Sequence, residues 1–243
     1  QVSVLTSKQV QALDTAQVKA LSFDQFRILS PAAISGLTTA QLAVLTPEAV
    51  AALTTAQVAA LTTAQLSKLS TDQRAGLTTA QVSALTSKQV LALDTAQVKA
   101  FSIDQVRALS TAVIQSLSTD QIQALDIEDI GGLTTIQIGA LTAAQLKALT
   151  PAEAAALTGD QVRILSTAAI SGLTTAQLAV LTPEAVAALT TAQVAALTTA
   201  QVAKLSTDQR AGLTTAQVSA LTSKHVLALD TAQVKAFSID QVR

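Results

Sequence analysis

Residues 53–68 read LTTAQVAALTTAQLSK, which is an eight-residue unit followed directly by a second copy that differs at three positions. From Leu5 onward every eighth residue is Leu at 28 of 30 positions, and the other two are Phe101 and Phe237. The unit reads Leu-[Ser/Thr/Asp]-x-x-Gln-[Val/Ile/Leu]-x-small, and its register does not slip anywhere in the 243 residues. A repeat this regular decides the fold, because every copy must adopt the same local structure.

An octad does not suit a long helix or a strand. Eight residues at 100° each overshoot two helical turns by about 80°, so the leucine row would wind around one continuous helix instead of marking a face. A strand is disfavoured because Ala, Gln and Asp are poor strand formers and the pattern lacks period-two alternation. The remaining solution is a short helix within each octad.

Capping signals support this solution. The residue after each Leu is Ser, Thr or Asp at all 30 positions, and these are preferred N-cap residues. Three residues later Gln occurs at 23 of 31 sites, which predicts a capping box. Leu37 and Leu42 illustrate the expected hydrophobic staple across a cap. All sixteen acidic residues fall at the cap or at the second or third helical position, near the positive end of the helix dipole. The four prolines occupy the first helical position, where a missing N–H is tolerated: Pro31, Pro47, Pro151 and Pro183.

Helices of five or six residues are too short to be stable alone, so stacking between octads must stabilise them. The sequence therefore predicts an all-α solenoid of very short capped helices, with Leu and Val pointing inward. Small residues such as Gly36 in the last position are expected to allow a sharp turn and close backbone approach. A weak relation between each octad and the fifth one after it suggests five helices per superhelical turn.

The chain shows no domain boundary. Residues 28–107 recur nearly verbatim at 164–243, an offset of seventeen octads, and no linker or change of composition interrupts the array. We expect residues 1–243 to form a single continuous solenoid of about 30 repeats, and we interpret the chain as an excerpt of a longer array.

Composition argues against several functions. Fifteen Lys and Arg against sixteen Asp and Glu give a net charge of −1, so no electrostatic case for nucleic acid arises. Mean hydropathy is +0.45, but no stretch approaches the roughly 18 apolar residues of a spanning helix. Without Cys there is no thiolate metal site and no cysteine nucleophile. We expect no nucleic acid, no membrane insertion and no small-molecule substrate.

Two kinds of unusual residue interrupt the repeat. His225, the single histidine, stands where the matching octad has Gln89, and we interpret it as sequence drift. Arg74 and Arg210 replace the buried aliphatic residue in identical LSTDQRAG octads. Their alternatives are an anion or lateral contact site, or a side chain whose stem covers its neighbours and pairs with Asp72 or Asp208.

The densest acidic cluster is Asp126, Glu128 and Asp129, which could offer oxygen ligands to Ca²⁺. All three occupy positions where acids occur throughout the array, so a helix N-terminal role is favoured. Ser and Thr act as caps, since no base is available to activate them. We therefore expect no catalytic, cofactor-binding or metal-ligating residues and no cofactor.

The LTTAQ and LSTDQ units resemble the octapeptide arrays of the form LTxxQ[VIL]xA found in long repetitive bacterial proteins of the secreted or cell-surface kind. The resemblance covers the whole chain. It implies a segment that provides length or forms assemblies, located outside the cell or on its surface, and it carries over no functional residue.

From these observations we expect a non-catalytic structural repeat protein: a rigid spacer, or a self-assembling fibre or surface-layer segment of a larger extracellular bacterial protein. The expected partner is a second copy of the chain, stacked end to end or side by side. The alternative is a solenoid scaffold whose concave surface binds a peptide or polymer.

Overall fold

The computed structural model describes residues 2–242 and is all-helical throughout this range, with no strand. One short α-helix forms in each octad, and thirty helices follow one another in a regular array. The predicted α-solenoid of short capped helices is confirmed. Among the described residues, no helix combines the length and the apolar character that a membrane crossing requires.

Contacts between Cα atoms divide the chain into two compact units, Gln1–Ala124 and Leu125–Arg243. That all 243 residues form one continuous solenoid stays a prediction. The first unit contains a short 3-10 helix, Val2–Val4, and helices α1 (Ser7–Gln11), α2 (Thr15–Lys19), α3 (Phe23–Ile28), α4 (Pro31–Ser35), α5 (Thr39–Ala43), α6 (Pro47–Ala51), α7 (Thr55–Ala60), α8 (Thr63–Lys68), α9 (Thr71–Ala75), α10 (Thr79–Ser83), α11 (Ser87–Leu91), α12 (Thr95–Lys99), α13 (Ile103–Ala108), α14 (Thr111–Ser116) and α15 (Thr119–Ala124).

The second unit has the same organisation. It contains α16 (Ile127–Gly132), α17 (Thr135–Ala140), α18 (Ala143–Ala148), α19 (Pro151–Ala155), α20 (Gly159–Ile164), α21 (Thr167–Gly172), α22 (Thr175–Ala179), α23 (Pro183–Ala187), α24 (Thr191–Ala196), α25 (Thr199–Lys204), α26 (Thr207–Ala211), α27 (Thr215–Ser219), α28 (Ser223–Leu227), α29 (Thr231–Lys235) and α30 (Ile239–Val242).

Each helix begins as the sequence predicts. In α7 the hydroxyl of Thr54 accepts a hydrogen bond from the backbone N–H of Gln57 at 3.2 Å, and Oε1 of Gln57 accepts from the N–H of Thr54 at 2.7 Å. This reciprocal capping box satisfies two N–H groups at the helix N-terminus. The four prolines stand at the first position of their helices: Pro31 in α4, Pro47 in α6, Pro151 in α19 and Pro183 in α23.

Two residues separate successive helices where the first has six residues, and a third residue in the helical region, such as Val44 after α5, is added where it has five. After α7 the backbone is extended at Leu61 (φ −56°, ψ 135°) and at Thr62 (φ −69°, ψ 158°), and α8 follows. No described residue has a positive φ. The turns therefore use only backbone conformations open to any residue, and that the small size of the last residue allows the sharp turn stays a prediction.

The other expected role of glycine, close approach, is confirmed at Gly36. A Cβ atom at this position would lie 2.6 Å from Cα and Cβ of Ser7. Real side chains do not approach this closely, so α1 and the end of α4 can touch only because Gly36 lacks a side chain.

The core consists of two aliphatic rows. In the middle of the array the Leu before each cap is buried, as at Leu61, and the fourth helical residue is fully buried, as at Val58. Toward the ends of the described chain both rows become more exposed, as at Leu13 and Val226. Leu37 and Leu42 are both buried, in line with the predicted staple. Both rows face the interior of the solenoid, and the second and third helical positions face outward or toward the neighbouring turn.

Within each unit most helices pack on the helix three octads away. In the first unit α4 packs on α7, α7 on α10 and α10 on α13, and in the second unit α17 packs on α20, α20 on α23 and α23 on α26. Hydrogen bonds from glutamine side chains reach one helix further, to the C-terminus of the helix four octads earlier. A superhelical turn therefore takes between three and four octads. The interpretation of five helices per turn is wrong, since weak similarity between octads does not measure stacking.

Candidate functional site

A row of buried glutamine side chains connects successive superhelical turns. Gln57 Nε2 donates to the carbonyl oxygens of Phe26 and Leu29, each at 2.6 Å. These two residues end helix α3 and lie 31 and 28 residues earlier in the chain. One side chain therefore caps the N-terminus of its own helix and the C-terminus of a helix one turn away.

We call the glutamines that repeat the Gln57–Leu29 bond, with the same separation along the chain, the glutamine ladder. Its described members are Gln41, Gln57, Gln65, Gln73, Gln81, Gln89, Gln105 and Gln121 in the first unit and Gln161, Gln177, Gln193, Gln201, Gln209, Gln217 and Gln241 in the second. All are buried. The last carbonyls of a helix have no partner within it, so the ladder satisfies groups that burial would otherwise leave unpaired.

The bonds add up along the array. A hydrogen bond contributes about 0.5–1.5 kcal/mol net, and an unsatisfied buried partner costs about 1–3 kcal/mol. Each rung joins one turn to the next by bonds of the same geometry. The ladder is therefore a repeated, directional joint between turns, with donors on one side and acceptors on the other.

The predicted capping box accounts for the glutamine side-chain oxygen but not for the bonds that its amide nitrogen donates to another turn. The sequence held a signal for the other half: the third helical position is Gln at 23 of 31 sites and acidic only at Asp129 and Glu153. A carboxylate completes a capping box as well as an amide does. The preference for Gln indicates that a second, donating group is needed, because an ionised carboxylate only accepts.

His225 takes the place of a ladder glutamine. Its Nδ1 accepts from the backbone N–H of Thr222 at 3.2 Å, and its Nε2 lies 2.8 Å from the carbonyl oxygen of Leu197, 28 residues earlier. These contacts assign the neutral tautomer with the proton on Nε2. The ring reproduces the acceptor and the donor of Gln89, its counterpart, so a structural role accounts for both nitrogens.

The acidic cluster begins helix α16. The Asp126 side chain accepts from the backbone N–H of Asp129 at 3.0 Å, and Asp129 Oδ2 accepts from the N–H of Asp126 at 3.3 Å. Asp129 is buried, and burial raises the pKa of its carboxyl. The negative charges of Asp126 and Glu128 also raise this pKa, and the hydrogen bond from the backbone of Asp126 lowers it. Within residues 2–242, no group of three or more His, Cys, Asp or Glu side chains is arranged to hold a metal ion.

Arg74 and Arg210 lie inside the solenoid. They are 5% and 4% exposed, and each Nε is buried without a hydrogen-bond partner. Arg74 Nη1 donates to the carbonyl oxygen of Leu69, and Arg210 Nη2 donates to that of Ala203 at 3.0 Å. The expectation that the side chain lies over its neighbours at the surface is therefore wrong.

The predicted charge partners are also wrong. The charge that acts on Arg74 is that of Asp94, and the charge that acts on Arg210 is that of Asp230. In each case burial lowers the pKa of the guanidinium and the carboxylate opposes this. The aspartate belongs to the cap three octads later, one superhelical turn away, and not to the arginine's own octad.

Similar shallow grooves recur on the surface at equivalent repeat positions. One groove of about 290 Å³ is lined by Ala59, Leu61, Thr62, Thr63, Thr86, Lys88 and Gln89. A second, of about 370 Å³, is lined by Arg163, Ala187, Ala188, Leu189, Thr190, Thr191, Thr214 and Gln217. A third, of about 480 Å³, has the same framework around Leu173, Thr174 and Thr198. Each groove combines two threonine caps from helices three octads apart with a basic side chain.

Comparison with known proteins identifies the repeat. A family model described as the ALTTAQ repeat matches six stretches, each about four octads long: residues 23–55, 50–87, 103–135, 123–159, 155–191 and 186–223. Together they cover residues 23–87 and 103–223, which is more than half of the chain. The comparison with curated proteins gave no match.

Proposed function

Because the chain belongs to the ALTTAQ repeat family, we propose that it is a non-catalytic structural segment that acts as a rigid spacer in a larger protein. The observation that carries this proposal is the glutamine ladder. Each octad adds one helix, and most octads also add two aliphatic core side chains and a glutamine, so the array gains length without a new design. Rungs such as Gln57 tie consecutive turns together by buried hydrogen bonds and resist sliding between turns.

The placement of the reactive side chains supports a role without catalysis. Both ring nitrogens of His225 are engaged with backbone groups, and the cap hydroxyls accept from helix N–H groups, as Thr54 does. General base catalysis requires a group that is free to reach a substrate proton. Turnover abolished by a single substitution in the array would contradict this part of the proposal.

A length series tests the spacer function. Tandem proteins with one, two and three copies of the duplicated block, residues 28–107, keep the octad register, since the block spans a whole number of octads, ten. For a rigid spacer the radius of gyration from X-ray scattering should grow nearly in proportion to the number of blocks. Growth close to the square root of the number of blocks would indicate a flexible chain and contradict the spacer function.

We further propose that the partner is a second copy stacked end to end. Within the array each rung has its donor on one turn and its acceptors on the turn before it, as Gln57 has with Phe26 and Leu29. The same bonds that join turns could thus join copies, and such head-to-tail contacts produce filaments.

Sedimentation and electron microscopy over a range of concentrations test this association. Linear assemblies should form and should lengthen as the concentration rises. Monodisperse monomers at high concentration would contradict self-association and leave the spacer function standing. An extracellular or cell-surface location in a bacterium belongs to this proposal through the resemblance of the octads to such arrays.

A polymer-binding scaffold is the second candidate, and the recurring grooves favour it. Grooves at the same repeat positions, each with threonine hydroxyls and a cation, suit a polymer with evenly spaced polar groups. A saturable interaction with a polysaccharide or an extended acidic peptide, lost on Lys88→Ala and Arg163→Ala, would favour this function. Binding to neither would leave the structural function alone.

A further inference from the structure

We propose that Arg74 and Arg210 are built-in weak joints, at which the solenoid opens locally before its other turns do. The proposal concerns the fold and goes beyond the spacer function. It rests on the interruption of the ladder beside each arginine, on the buried charge itself, and on the packing of the helices concerned.

The arginine stands at a core position. Val58 and Val82 occupy the same repeat position in α7 and α10 and are fully buried, and these two helices pack on each other. Arg74 in α9 and Val98 in α12 are the equivalent pair, again three octads apart. Here one aliphatic side chain is replaced by a buried cation whose Nε lacks a partner. A buried, incompletely paired polar group destabilises the turn that contains it.

Arg74 also donates to a carbonyl oxygen that, by the spacing of the glutamine ladder, would accept from a glutamine. The carbonyl of Leu69 is the acceptor that Gln97 would reach by the ladder's regular spacing, and Arg74 Nη1 donates to it instead. Gln97 Nε2 keeps a bond to the carbonyl of Ser67 at 2.6 Å, and its side chain is half-buried where ladder glutamines are buried. The rung between α9 and α12 is therefore incomplete.

The second arginine also lies beside an incomplete rung, but it donates to a different carbonyl, that of Ala203 and not that of Leu205. Gln233 Nε2 donates to the carbonyl of Ala203 at 2.8 Å, and Arg210 Nη2 donates to the same oxygen at 3.0 Å. One acceptor thus serves two donors. Neither α9 with α12 nor α26 with α29 packs as closely as the neighbouring pairs α10 with α13 and α27 with α30.

The cap aspartates offset only part of this disturbance. Asp94 supplies a negative charge near Arg74, and its Oδ1 also accepts from the backbone N–H of Gln97 at 2.8 Å. The equivalent caps Thr54 and Thr78 carry no charge. The charge of Asp94 therefore offsets part of the free-energy cost of burying Arg74, while the ladder beside the arginine stays incomplete.

Thiol labelling of buried cysteines measures local opening, and the absence of native Cys makes the signal specific. The reporters are Val98→Cys, at the equivalent repeat position three octads after Arg74, and Val82→Cys, at the equivalent position three octads after Val58. We expect the cysteine at position 98 to react at least tenfold faster than the one at 82. Adding Arg74→Val should slow labelling at 98 to the rate at 82 and leave the rate at 82 unchanged.

Equal rates at the two positions in the parent background would overturn the proposal, as would an unchanged rate at 98 after Arg74→Val. Asp94→Thr provides a second variant that keeps the cap and removes the charge. It should increase the labelling rate at 98 several-fold, and no increase would also contradict the proposal. These outcomes do not depend on the length series, so failure of the spacer function and failure of the joints are distinguishable.

Discussion

The side-chain amide of Gln57 donates to the backbone carbonyl of Leu29, 28 residues earlier, at 2.6 Å. The same relationship recurs within each of the two units and joins successive superhelical turns there. It explains why the octad keeps glutamine at a position where helix capping alone would accept a glutamate.

Replacing a ladder glutamine by glutamate should separate its two roles. Gln57→Glu keeps the capping box and places a carboxylate against the carbonyls of Phe26 and Leu29. We expect the free energy of unfolding, from urea denaturation, to fall by about 2–3 kcal/mol. Gln9→Glu is the matched control, because Gln9 is exposed and its Nε2 is unbonded within the described chain, and it should change stability by less than about 0.5 kcal/mol. Equal losses in the two variants would contradict the ladder.

Asp129 should make stability depend on pH in a direction set by its burial. Burial raises the pKa of this carboxyl in the folded protein, so the folded state binds its proton more tightly than the unfolded state does. This contribution is present below the ordinary value of 3.8 and is lost as the pH rises through the folded pKa. Asp129→Gln should therefore raise the melting temperature at pH 7 and lose this advantage in acid. Asp160→Asn, at an exposed acid, is the control and should show no such gain.

His225 should be replaceable by glutamine but not by alanine. His225→Gln restores the consensus amide and should leave stability equal or higher. His225→Ala removes the acceptor for Thr222 and the donor for Leu197, and it should lower the free energy of unfolding by about 1–3 kcal/mol. Thermal unfolding compares the stability of both variants with that of the parent protein. If alanine were tolerated as well as glutamine, the ring would have no structural role.

Two glycines should respond to alanine with opposite signs. At Gly36 a Cβ would lie 2.6 Å from Ser7, so Gly36→Ala should destabilise the first turns of the array. At Gly131 in α16 the nearest atom would be 3.5 Å away, which is ordinary contact. Gly131→Ala should therefore stabilise by about 0.5–1 kcal/mol, through helix propensity. Calorimetry measures the change in stability of each variant. Changes of the same sign would show that close approach is not the reason for glycine at position 36.

The features that lie within one octad could be predicted from the sequence. The caps, the helix starts, the proline positions and the inward rows of Leu and Val follow from spacing, and the structure confirms them. Partners on another turn could not be predicted. Every octad carries a similar leucine and usually a glutamine. The sequence pattern therefore does not show whether a side chain bonds to the octad three or four places earlier or to the octad five places earlier. The pairing of Arg74 with Asp72 was wrong for this reason: the effective carboxylate, Asp94, comes from the next turn.

The stacking of α7 on α10 offers the most direct test of the account. Nitroxide labels at Thr55→Cys and Thr79→Cys, both exposed and three octads apart, report the distance between these helices by electron paramagnetic resonance. Packed helices have axes about 8–10 Å apart, so we expect strong dipolar broadening between the labels. Labels at Thr55→Cys and Thr95→Cys, five octads apart, should be farther from each other. A continuous helix would instead place positions 55 and 79 about 36 Å apart, and that distance would contradict a fold built from one short helix per octad.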